Sequence, residues 1–197
     1  MTLLALLRHA ATDWNEAGRL QGRADRPLSV AGRAALSGRG LPLSLAGACW
    51  HASPLRRAME TAQLLGAVAL RPEPRLVELD FGEFEGRRLA DLRAELGPAM
   101  AENEARGLDF QPPGGETPRQ LRDRRLRPWL DELAAVGGWH VAVTHKTPMR
   151  LLLALAFDWP LVGKPLVRLR WDCLQVYWLA PGERPRPFRL NLPLAGE

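Results

Sequence analysis

Cysteine is nearly missing from this chain: Cys49 and Cys173 stand alone and far apart, matching no thiolate metal spacing and no redox pair. A reducing compartment is the default for such usage. Histidine occurs four times, with no HxxxH or HxH spacing and no CxxC beside it, so a zinc site finds no third ligand at helical or short-loop distance. Long apolar runs are missing too. LLLALAF at 151–157 falls far short of the roughly 20 residues that cross a bilayer. The opening LLALL is too short for a signal-peptide core and has no basic leader before it, so a cytoplasmic protein is expected, with no membrane partner. There is no internal repeat and no low-complexity tract.

Lysine is the other scarcity. Of 27 basic residues only Lys146 and Lys164 are lysines, against a net charge of +5. Biased coding accounts for much of that preference, but guanidinium forks also match phosphate and carboxylate. The arginines are scattered, not gathered in one run with interleaved aromatics, which argues against nucleic acid.

What is present is an ordinary globular composition, 46% hydrophobic and 25% charged over 197 residues, enough for one sizeable core and one domain over 1–197. Met1–Leu7 reads as a buried strand. A helix follows from near Val30 with Ser29 as N-cap, then a strand at Ala48–Ala52. Ser53-Pro54 is expected to open another helix, with a short strand near Val68–Arg71. Residues 87–106 look helical, QPPGGETP is a loop, and a lid is expected over about 87–118. A long helix from 118 or 119 to about 135 ends at Gly137-Gly138. A strand over His140–Thr144, an apolar helix over Pro148–Phe157 and two late strands within Val167–Leu179 complete the pattern. Strands alternating with helices predict an α/β fold, a three-layer sandwich around a mainly parallel sheet.

In such sheets ligands gather at the carboxyl ends of the strands. Three strand exits carry matching chemistry: Arg8-His9 after the first, Arg56 and Arg57 after the second, and His145 after the third. Arginines at a helix start face the positive end of its dipole, a penalty that an anion in front of the helix would relieve. Two imidazoles and several guanidinium groups around one helix start describe a metal-free phosphoryl site. In LVELDFGEFEG, Glu78 lies nearest the apolar pair and is the carboxylate expected to be half-buried, a setting suited to general-acid work.

These residues fall into motifs in a familiar order. LLRHAATDWN, GRLQGRADRPLSVAG, SPLRRAMETA, LVELDFGEFEG, PPGGETPRQLRDR and VTHKTPMR resemble the signatures of the histidine phosphatase superfamily, the phosphoglycerate-mutase-like branch 1. The resemblance implies that His9 is a nucleophile forming a phosphohistidine. It implies that Arg8, Asn15, Arg57 and His145 bind phosphoryl oxygens through guanidinium and imidazolium donors, and that Glu78 is general acid and then base. Gln21 would line the pocket. Arg57 is preferred over Arg56 because it directly precedes the alanine. No cofactor or metal is implied, and the partner would be a small phosphorylated metabolite, with a homodimer as the assembly open to test. The chain departs from the usual His-Gly-Gly turn with His145-Lys146-Thr147, where Lys146 adds a cation to substrate binding. The span from Glu78 to Gln111 leaves no room for the longer lid of the mutases. A phosphomonoesterase is therefore expected, ahead of a cofactor-dependent mutase or a non-catalytic phospholigand binder.

Overall fold

The first strand, β1 (Thr2–Arg8), lies inside the sheet and is buried on both faces, which is why LLALL is continuous and not alternating. Its side chains still alternate in destination. Leu4 and Leu6 pack with Trp129, Leu133 and Leu152 on one face, whereas Leu3, Ala5 and Leu7 pack with Leu28, Leu36 and Leu174 on the other. The computed structural model describes residues 2–196.

Six strands form one sheet, adding β2 (Cys49–Ala52), β3 (Arg71–Pro72), β4 (Gly138–Thr144), β5 (Cys173–Leu179) and β6 (Arg186–Pro193), in the order β3-β2-β4-β1-β5-β6. β3, β2, β4 and β1 run parallel, and β5 is antiparallel to both β1 and β6. Among the described residues seven α-helical segments flank the sheet, with short 3-10 and π turns between them: α1 (Asp13–Glu16), α2 (Val30–Ala34), α3 (Arg56–Leu64), α4 (Leu89–Ala105), α5 (Pro118–Leu121), α6 (Arg127–Val136) and α7 (Lys146–Phe157). With helices on both faces, this is the expected α/β sandwich with a mostly parallel sheet.

Several local expectations need correction. Ser53 does not cap α3; that helix starts at Arg56 with Leu55 at its N-cap and no side-chain cap bond. The carboxylate of Asp25, 2.6 Å from the Arg56 amide, supplies the negative charge in front of it. The two late strands are not both within 167–179: the second lies at Arg186–Pro193. The long helix predicted from 118 is interrupted by a π-helical turn at Arg122–Leu126 between α5 and α6. Within the lid, α4 breaks at Gly97, whose φ of 51° and ψ of −125° suit glycine alone, just before Pro98. The start of the first strand at Met1 lies outside the described residues.

The other two histidines, His51 and His140, pair with each other. His140 Nε2–H donates to Gly137 O at 2.9 Å, which leaves its Nδ1 to accept from His51 Nε2–H at 3.1 Å. Burial first, then the neighbouring His140 ring and the charge of Arg71, push His51 down from 6.5 to about 4. The unfolded chain therefore binds a proton that the folded one refuses across that interval, and stability falls as pH drops from 6.5 towards 4. Urea midpoints at pH 7 and 4.5 should show the loss, and His51→Gln should show a smaller one; an equal loss in the variant would refute this source.

Candidate active site

β1, β4 and β2 are neighbours, so their carboxyl ends come together. The backbone knits them: His9 N–H donates to Thr144 O at 2.9 Å, and Ser53 N–H to Val143 O at 3.0 Å. His9 and His145 thus leave adjacent parallel strands, and their rings face each other with centroids 5.0 Å apart. Both are buried.

The His9 Nδ1–H donates to Ala10 O at 2.7 Å, which leaves Nε2 with its lone pair. Burial first, then the charges of Arg8 and Arg57, hold His9 well below the usual histidine range, so the ring is neutral at pH 7. His145 is held down in the same direction by burial, then His9, Arg57, Arg8 and Arg125. Arg57 Nε–H donates to its Nδ1 at 3.2 Å, so the ring proton sits on Nε2. The expected imidazolium is therefore a neutral N–H donor, because three cations stand around a desolvated ring.

Arg57 is fully buried. Besides His145 it donates to Gly22 O and Ala24 O, each at 2.8 Å, and burial pushes it down to about 10. Arg56, by contrast, is exposed and pairs with Glu60. Asn15 is seated by a reciprocal capping box with Thr12 at the start of α1. The Thr12 hydroxyl donates to Gln21 Oε1 at 2.7 Å. Four buried side-chain atoms have no hydrogen-bond partner among the described residues: Arg8 Nε, Gln21 Nε2, His145 Nε2 and Tyr177 Oη. The first three belong to residues that the motifs assigned to one site, and buried donors of this kind ordinarily find acceptors. The fourth lies apart in the core, on β5.

Glu78 is more buried than expected, at 5% exposure. Its carboxylate accepts from the Leu79 amide at 2.7 Å and from the Thr147 amide at 3.2 Å to each oxygen, at the positive end of α7. Lys146 is the first residue of α7, and neither it nor Thr147 has positive φ, so the departure from Gly-Gly requires no left-handed backbone. Lys146 Nζ and Arg8 Cζ lie over the same Trp171 ring, at 5.6 and 5.9 Å. Among the described residues no group of three or more His, Cys, Asp or Glu side chains is placed to hold a metal ion. No helix among them is long and apolar enough to cross a membrane.

A profile of the histidine phosphatase superfamily (branch 1) matches residues 4–186. The chain belongs to that family. The glucosyl-3-phosphoglycerate phosphatase of Mycobacterium tuberculosis is 32% identical over 213 residues, covering 96% of this chain and 92% of that protein. The mycobacterial glucosyl-3-phosphoglycerate phosphatase Rv2419c, solved in complex with VO3, superposes with a TM-score of 0.78 at 26% identity over 96% of this chain and 98% of that one. TTHB049 of Thermus thermophilus superposes at 0.70 with 30% identity, over 96% and 99%. Other relatives are longer: the bifunctional protein Rv2228c of M. tuberculosis is 34% identical over 164 residues, 80% of this chain but 44% of its own length. Members of the superfamily thus include proteins named as phosphatases and as phosphoglycerate mutases.

Three supporting residues had no role assigned from the sequence, although Glu85 and Glu116 lie inside the quoted motifs. Glu85 accepts from the Gly22 and Ala24 amides at 3.0 and 2.5 Å, fixing the loop whose carbonyls receive Arg57. Arg125 projects from the π-helical turn, donates to Val77 O at 2.7 Å and reaches Glu78 O at 3.4 Å. Glu116 holds the same guanidinium at 3.1 and 2.5 Å. The run RDRRLR offers no signal to single out Arg125; only the helical distortion does.

Proposed function

We propose that this chain is a metal-independent phosphatase of small phosphomonoesters, working through a phosphohistidine at His9. The observation that carries the reading is the His9 ring, its Nδ1 tied to Ala10 O and its Nε2 free, beside the unpartnered donors of Arg8, Gln21 and His145. His9 Nε2 attacks phosphorus as the ester oxygen leaves with a proton from Glu78. Charge spreading over the equatorial oxygens meets Arg8, Gln21, His145 Nε2–H, the amide of Asn15 and the remaining donors of Arg57. Water, deprotonated by Glu78, then displaces His9 and returns it neutral. Release of phosphate from p-nitrophenyl phosphate in EDTA tests the reaction. An acid-labile, base-stable 32P label on the chain tests the intermediate. No turnover across a panel of small phosphoesters, in a folded protein, would favour a phospholigand binder.

A mutase of the bisphosphoglycerate-dependent kind is the second reading, favoured by a Gloeobacter violaceus relative of that name, 31% identical over 144 residues. It requires water to be held out while the product turns. Analysis of whether phosphate or an isomeric ester accumulates separates the two.

In this scheme Arg125 acts through Glu78, by fixing the backbone on either side of it. Arg125→Met should slow the reaction roughly 10- to 100-fold, the scale of an ångström misplacement. Alkyl phosphates should suffer more than nitrophenyl phosphate, and Arg125→Lys should recover part of the loss. Equal loss on both esters, with a lowered Tm, would make its role merely structural.

A further inference from the structure

Three residues of α7 line a cavity of 490 Å³: Lys146, Thr147 and, one turn after Lys146, Arg150. Leu79 and Thr147, whose amides hold the Glu78 carboxylate, line it too. The Glu78 carboxylate is thus held by two residues of this wall, while Glu78 itself does not line the cavity. Much of the remaining wall is apolar, with Leu20, Phe81, Phe110 and Leu161. Arg93, also on the wall, is already tied to Glu104 at 2.7 Å.

The two cations of α7 are held differently. Lys146 is exposed, its Nζ over the Trp171 ring that lines the neighbouring cavity beside His9, and Arg150 is half-buried with its guanidinium 5.1 Å above the Trp159 ring. Indole faces orient a cation without neutralising it. Burial lowers both groups, and the carboxylate acting on each is Glu78, which the proposed chemistry already uses. A largely apolar chamber with two cations at one side, neither in an ion pair among the described residues, fits an organic anion.

Resting on the phosphatase reading, we propose that the preferred substrate is a phosphomonoester whose alcohol carries a second anionic group on an apolar body, that group being held by Arg150 and Lys146. Arg150 is then a specificity residue of the leaving-group chamber, distinct from the donors around the transferred phosphoryl group.

The test compares 4-carboxyphenyl phosphate with 4-carbamoylphenyl phosphate, nearly equal in size and different in charge. The ratio of their kcat/KM values is taken within each variant, so a poorly folded preparation does not move it. Arg150→Gln should cut the carboxylate-to-carboxamide ratio roughly tenfold, the scale of one charged hydrogen bond. Arg150→Lys should restore part of it, and Lys146→Gln should lower it in the same direction. An unchanged ratio in both glutamine variants overturns the inference but leaves the phosphatase reading standing. So does a ratio that responds instead to Arg39→Gln, which would place the alcohol in the smaller, 290 Å³ cavity beside His9. Failure of the unaltered protein to turn over either ester, or any phosphoester of a wider panel, overturns the phosphatase reading and the inference with it.

Discussion

His9→Ala should abolish phosphate release, by about 10⁴- to 10⁶-fold, the range seen when a covalent nucleophile is removed. The expectation is steep because nothing beside it can substitute. The facing ring of His145 holds its proton on Nε2 while its Nδ1 accepts from Arg57, so it offers no lone pair towards the site. Binding of phosphate or vanadate should survive, since the donors of Arg8, Arg57 and Gln21 are untouched. Isothermal titration with vanadate and initial rates with p-nitrophenyl phosphate measure the two halves separately. Wild-type rates in the variant would rule out the covalent route. Loss of anion binding along with turnover would show that the imidazole organises the pocket.

Glu78→Gln should cost on the order of 10²- to 10⁴-fold on alkyl phosphates, the usual contribution of a positioned general acid. On nitrophenyl phosphate the loss should be much smaller, because nitrophenolate departs without a proton. The amide side chain keeps an oxygen to accept from Leu79 and Thr147, so the seat at the start of α7 is preserved. A plot of rate against leaving-group basicity decides the matter: wild-type enzyme should show a shallow slope and the variant a steep one. Parallel slopes would mean that Glu78 is not the acid.

How far the site was legible depended on the kind of residue. His9 and His145 stood out at the ends of apolar strands, Arg56 and Arg57 as cations at a helix start, and Glu78 by its apolar neighbours; only the motif resemblance singled out Arg57 from Arg56. Their supports did not stand out. Asp25, Glu85, Glu116 and Arg125 look like solvated charges in sequence and become structural only through partners between 9 and 63 positions away. Arg150 was missed for the same reason. On a helix that reads as apolar, one arginine suggests an exposed edge, and a cavity beside it is a property of α4 and the loops around Phe110 and Leu161.

Local chemistry by itself determined the α/β class, the strands that end in histidine, and the motif order that marks the family. Periodicity and capping act over a few residues and so are written in the chain. Strand order, the neutral state of His145, the break at Gly97 and the placing of Lys146 and Arg150 on one cavity wall were decided only in three dimensions. Each depends on which charges and carbonyls desolvation forces together, and desolvation is set by the packed sheet and helices, not by neighbours along the chain.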